Sequence, residues 1–193
     1  MPISHKHKLI FLHIPKSAGT SITETFNMER FGHHPPINIK KEFPNQWKEY
    51  TKFCVTRNPW DRMVSNYRYI LSDNNFWFDN SGKSRNKSFK LNGGQTIPGK
   101  PVNQLRGIVK GFGNFKNWVK EFHKNPNKYM RGYRGHDHQH KYTHINEELI
   151  VDYVIKYENL PNDLNKMFTD IGLPHTHIMN LNSSGDKVNY REY

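Results

Sequence analysis

A lysine among small and hydroxyl-bearing residues, set directly behind an apolar run, is the stretch of this sequence best suited to chemistry. It reads Phe11-Leu12-His13-Ile14-Pro15-Lys16-Ser17-Ala18-Gly19-Thr20-Ser21. An apolar run that stops at proline and gives way to one glycine and two hydroxyl residues describes a strand, a tight turn and a helix start. Backbone N–H groups at such a start, with the positive end of the helix dipole, suit a phosphate or sulfate group. Lys16 adds a full positive charge at the mouth of the turn. The nucleotide-loop pattern G-x-x-x-x-G-K-[ST] is absent, because here the lysine precedes the single glycine.

A second set lies some forty residues on, in Thr56-Arg57-Asn58-Pro59-Trp60-Asp61-Arg62-Met63-Val64-Ser65-Asn66-Tyr67. Lys52–Thr56 reads as a strand and Pro59–Leu71 as a helix, with Asn58 as its cap and proline in its first turn. Arg57 then stands at the carboxyl end of a strand, where open α/β sheets bind ligands. Ser65 follows about two helical turns later. Lys16, Arg57 and Ser65 are therefore candidates to converge on one nucleotide, with Arg57 able to grip a phosphate through two nitrogens. The plainer reading of Arg57, Asp61 and Arg62 is a surface cluster of salt bridges.

The elements that must position these groups follow from pattern. Lys8–Ile14 reads as a central parallel strand and Thr20 to Arg30 as the helix after it, with Ile22 and Phe26 on its inner side. Gly32 to Pro36 is a turn, and Ile39–Trp47 a short helix broken at Pro44. Met63, Val64, Tyr67, Ile70 and Leu71 form one stripe on the helix over 59–71. Residues 72–110 lose periodicity and read as a basic, loop-rich insertion or lid. Phe112–Phe122 predicts a helix, and 125–143 reads as irregular. Leu149–Tyr157 predicts a third strand, followed by a helix capped at Asn159 and stopped at Gly172 and Pro174. Strands alternating with helices predict an α/β, three-layer, P-loop-like fold with a central parallel sheet. A length of 193 residues suits a single domain over 1–193.

Composition narrows the partners without choosing one. There are 29 Lys and Arg against 17 Asp and Glu, a net charge of +12. Mean hydropathy is −0.92. Such a surface suits nucleic acid, an anionic membrane or a polyanionic small molecule. The single cysteine, Cys54, excludes an internal disulfide framework and reads as a small buried strand residue. No window approaches the ~20 apolar residues of a membrane span, and no signal-peptide core is visible. The expected location is cytoplasmic.

His13-Ile14-Pro15-Lys16-Ser17-Ala18-Gly19-Thr20-Ser21 resembles the 5′-phosphosulfate loop of the sulfotransferase family, in the form found in its carbohydrate branch. Arg57-Asn58-Pro59-Trp60-Asp61-Arg62 through Ser65 and Tyr67 is similar to that family's 3′-phosphate motif. Val151 to Leu160 looks like its third landmark. Leu181-Asn182-Ser183-Ser184 and Tyr190-Arg191-Glu192-Tyr193 resemble its closing segment. The resemblance implies 3′-phosphoadenosine-5′-phosphosulfate (PAPS) as donor, PAP as product, and sulfuryl transfer to an acceptor hydroxyl on a glycan. It implies that Lys16 offsets charge on the breaking bond. Ser17, Ala18, Gly19, Thr20 and Ser21 would hold the 5′-phosphate, and Arg57 and Ser65 the 3′-phosphate. No metal is expected, Lys16 taking the place that Mg²⁺ has in kinases.

Transfer to a hydroxyl also needs a base, and His34, then His33, are the candidates, since related glycan enzymes use a histidine near this place. Glu158 reads as a structural carboxylate. His136, Asp137, His138, Gln139, His140 and His144 resemble a metal tract but read as a solvated loop. The basic stretch from Lys83 to Lys110 is a candidate for acceptor recognition. Two other readings stay open, a P-loop-like kinase and a basic nucleic-acid-binding module. No recognition helix or RNA-binding signature supports the second, so no nucleic-acid partner is expected.

Overall fold

The computed structural model describes residues 3–28, 33–72, 102–124, 137–178 and 190–192. The chain divides into two compact units, 1–62 with 137–183 and 63–136 with 184–193.

The first unit is built on a four-stranded sheet in the order β1 (Ile3–Ser4), β2 (Leu9–Leu12), β3 (Thr51–Thr56), β6 (Tyr153–Lys156). β2 and β6 both run parallel to β3, pairing Phe11 with Phe53 and Phe53 with Tyr153. β1 adds an antiparallel edge, Ile3 opposite Ile10, which the polar N-terminal segment does not announce. β2 is buried at every position. That is the expected result for a central strand covered on both faces.

Alternation along the strands sorts the core into two layers. Leu9, Phe11, Phe53, Val55 and Ile155 pack with Ile22 and Phe26 of α1 (Gly19–Thr25) and its exit, and with Leu164, Met167 and Phe168 of α7 (Leu160–Asp170). Ile10, Leu12 and Cys54 face the other way, against Ile39 of α2 (Pro36–Glu42) and Trp47 of α3 (Pro44–Glu49). Helix, sheet and helix make the three-layer α/β fold that the alternation predicts. Truncating a fully buried ring such as Phe11 to Ala would cost about 3–5 kcal/mol.

Element ends differ from the sequence reading where local backbone chemistry intervenes. α1 stops at Thr25, short of Arg30, because Asn27 turns left-handed (φ 44°). Met28 N–H then bonds Thr23 O at 2.9 Å and Asn27 N–H bonds Glu24 O at 3.2 Å, which closes the last turn. Gly172 (φ 71°) ends α7 in the same way, with Leu173 N–H on Phe168 O at 2.8 Å. The predicted strand over 149–157 is shorter. Leu149 belongs to β5 (Glu148–Leu149), which pairs with β4 (His144–Ile145) across Asn146 and Glu147, both at positive φ. That two-residue turn has the left-handed pair a tight hairpin needs. Lys52 N–H then bonds Asp152 Oδ2 at 2.7 Å, so β6 begins only at Tyr153.

The second unit holds most of α4 (Pro59–Leu71), with α5 (Val102–Gly111) and α6 (Phe115–Lys124). Tyr67, Ile70, Val109 and Trp118 are its buried core, joined by Phe115, Val119 and Phe122 along one face of α6. α4 has the predicted bounds. α5 corrects the reading of 72–110 as loop: from Val102 on it is a helix whose period is hidden by Gly107 and Gly111, both poor helix formers. The remainder of that insertion (73–101), the stretch 125–136 and the segment 179–189 lie outside the described residues. Among the described residues, no helix is long and apolar enough to cross a membrane.

Candidate active site

All three parallel strands end on the same side of the sheet, and the chemistry-bearing residues of the first unit sit there. The loop after β2 is held in an unusual backbone shape. Lys16 (φ 66°) and Ala18 (φ 55°) are both left-handed without being glycine. Each costs roughly 1–2 kcal/mol relative to right-handed backbone, so the surrounding contacts must over-determine them.

Those contacts come from two arginines. Arg62, on the first turn of α4, is only 7% exposed. Its Nη1 donates to Pro15 O at 3.3 Å and its Nη2 donates to Asp137 O. The surface salt-bridge reading of Arg62 is therefore corrected: it is a buried tie between the loop and the 137–142 segment. Arg57 donates from Nη1 to Lys16 O at 3.2 Å. Its guanidinium lies 4.2 Å over the Tyr157 ring, a cation–π contact at the end of β6. Gln139 brackets the Arg57 backbone, accepting its N–H at 2.9 Å and donating to its carbonyl at 2.8 Å.

Asn58 caps α4 as expected, its Oδ1 accepting Trp60 N–H at 3.0 Å. Its own N–H donates to Glu158 Oε1 at 2.6 Å, which gives Glu158 the structural place expected of it. Asn159 precedes α7 but makes no side-chain cap bond; its amide donates to Asp163 instead.

Electrostatically the loop is set for an anion. Burial above all, and then the neighbouring Arg57 charge, push the Lys16 ammonium down to about 7. Ser17 is fully buried, and its Oγ has no hydrogen-bond partner among the described residues. Arg57 Nε is likewise buried without a partner. A buried hydroxyl left unpaired costs roughly 1–3 kcal/mol. An anion's oxygens would satisfy the Ser17 hydroxyl and Arg57 Nε at once.

Of the predicted site residues, the structure brings together Lys16, Ser17, Ala18, Gly19, Arg57 and His33. Thr20 is half-buried and Ser21 buried on α1. His33 reaches the loop by donating from Nδ1 to His13 O at 3.4 Å. His34 follows, half-buried, before α2. Ser65 is buried on α4, in the second unit. Four residues escaped sequence reasoning: His13, Arg62, Gln139 and Tyr157. His13 and Tyr157 stand inside motifs that carry the resemblance, whereas Gln139 sits in a histidine-rich tract with no local signal.

That tract is tied within itself. His140 and His144 stack at 4.0 Å, His140 Nε2 approaches Glu147 at 3.3 Å, and Thr143 Oγ1 bonds His144 Nδ1 at 2.7 Å. Among the described residues, no group of histidine, cysteine and carboxylate side chains is arranged to hold a metal. A cavity of about 280 Å³ lies beside it, lined by Pro35, Pro36, Ile37, Lys141, His144, Ile145 and Asn146.

A protein of Archaeoglobus fulgidus described as uncharacterized is 29% identical over 143 residues, 74% of this chain and 84% of its own length. No solved structure matches. The sequence profile of the Sulfotransferase family matches residues 1–191, a span that takes in the Lys16 loop, the Arg57 corner and the third parallel strand, and this chain belongs to that family.

Proposed function

We propose that the protein transfers a sulfuryl group from PAPS to a hydroxyl of a carbohydrate acceptor, in the cytoplasm, with both units acting as one sulfotransferase domain. The observation that carries this reading is the Ser17 hydroxyl, buried and without a partner among the described residues, beside Lys16 in a loop that Arg57 and Arg62 hold in a strained shape. Such a loop is pre-organised for anionic oxygens, as sulfuryl and phosphoryl transfer both require.

PAPS, when bound, supplies an activated sulfuryl group whose leaving group is the 5′-phosphate of PAP. Lys16 holds positive charge where negative charge grows on that phosphate. Ser17 donates its hydroxyl, and Gly19, Thr20 and Ser21 offer the first N–H groups of α1. Arg57 holds the 3′-phosphate. His34 or His33 accepts the proton of the acceptor hydroxyl. The cavity beside Pro35 and Pro36 supports an acceptor site close to these histidines, its mixed apolar and polar lining suiting a sugar ring.

Calorimetry with PAP, and with ATP and Mg²⁺, tests the donor. Binding of PAP in the micromolar range with none of ATP is expected; the reverse would favour phosphoryl transfer. Labelled PAPS incubated with a panel of glycans, lipids and small metabolites then names the acceptor class, and a non-carbohydrate product would overturn the acceptor half of the reading.

A further inference from the structure

We propose that His13 is a positioning residue of this site, its ring setting the path of the anion loop and its carbonyl orienting the acceptor base. The proposal rests on the donor-site reading above and adds to it a residue to which that reading gives no role.

The ring of His13 is where a side chain at position 19 would have to be. A Cβ built on Gly19 would lie 1.6 Å from His13 Nε2, 2.2 Å from Cε1 and 2.3 Å from Cδ2. Real Cβ atoms never come that close, so the loop returns over the strand end only because residue 19 has no side chain. Gly19 is not required for positive φ; it is required for this approach. The His13 ring cannot easily give way, because it continues a column of rings rooted in the sheet. Phe53 stacks on Phe11 with centroids 5.0 Å apart, and Phe11 on His13 at 5.3 Å, the planes within 24° and 20°. A register set deep in the core is thereby carried to the loop that bears Lys16.

His13 also meets His33, their ring centroids 4.2 Å apart. His33 Nδ1 faces His13 O at 3.4 Å. A carbonyl oxygen only accepts, so Nδ1 carries the hydrogen. In the neutral ring Nε2 therefore keeps the lone pair, and a base needs that lone pair to take a proton. His33 has its tautomer set in this way, and the structure assigns it the role of base.

The steric half is tested by a mutant cycle read by PAP calorimetry and thermal unfolding. Gly19→Ala should weaken PAP binding tenfold or more and lower the melting temperature. The double variant His13→Ala/Gly19→Ala should bind PAP at least tenfold more tightly than Gly19→Ala alone, because removing the ring makes room for the methyl. If Gly19→Ala does not fold, recovery of a folded protein in the double variant is the same result. A double variant no better than Gly19→Ala, while the native protein binds PAP, overturns the proposal and leaves the donor reading intact. Failure of the native protein to bind PAP sinks both.

The orienting half is read from turnover. His33→Ala should lower kcat tenfold or more with KM for PAPS unchanged. An unchanged kcat in the folded His33→Ala variant overturns the assignment of His33.

Discussion

Arg57 Nη1 donates to the main-chain carbonyl of Lys16 at 3.2 Å, so one arginine both shapes the loop that carries the lysine and lowers that lysine's affinity for its proton. The contact joins the ends of β2 and β3 across 41 residues of sequence. It also places two positive charges together in a partly buried site, an arrangement that is costly alone and favourable once an anion arrives.

Removing either cation should collapse transfer. Lys16→Ala and Arg57→Ala are each expected to lower turnover by about 10²–10³, the usual loss when one preorganised charge-stabilising donor is deleted. Arg57→Lys should recover little, because it cannot keep both the Lys16 carbonyl and the Tyr157 ring. A single-turnover assay with labelled PAPS checks this, and near-normal turnover in the Lys16 variant would refute the mechanism.

The lowered Lys16 predicts a proton linkage. With its free value at about 7, the side chain is mostly neutral at pH 8. A bound anion raises that value, so PAP binding at pH 8 should take up close to one proton and weaken as pH rises further. Calorimetry in buffers of different ionisation enthalpy measures the uptake; none at pH 8 would contradict the assignment. For the free protein the sign is set by the unfolded chain, where a lysine titrates near 10.5. Between about 7 and 10.5 the unfolded state holds the extra proton, so this group makes stability rise with pH across that window.

Gln139 should matter although it touches no reacting group. Its amide satisfies both backbone groups of Arg57, and Gln139→Ala leaves them unpaired. The expected loss is about 1–3 kcal/mol of stability, together with weaker PAP binding. Gln139→Glu keeps an acceptor for the Arg57 N–H but loses the donor to its carbonyl, and should fall between. Denaturant melts and PAP titrations of the two variants decide the order; equal, unperturbed behaviour would remove Gln139 from the site.

Cys54 should be silent in the native state. It is fully buried on β3, and burial pushes its thiol up to about 12. Thiol reagents at pH 8 are expected to label it only as fast as the protein opens. Rapid labelling of folded protein would mean that the sheet is not closed over it.

Local pattern alone was enough for much of the fold. The apolar run at Leu9–Leu12, the Asn58-Pro59 start of α4 and the Gly172 stop each act through neighbours in sequence, and the structure keeps all three. Lys16 and Arg57 were legible too, since a residue's place at a strand's carboxyl end follows from the strand. Other parts required the tertiary structure. Gln139 reaches Arg57 over 82 residues and Arg62 reaches Asp137 over 75. No spacing rule records such pairs, because they depend on the register of three strands. The same register stacks Phe53, Phe11 and His13 into one column and leaves Gly19 no room for a methyl group. Sequence determined which residues could bear the chemistry. Only the packing of one strand on the next decided which of their neighbours hold them in place.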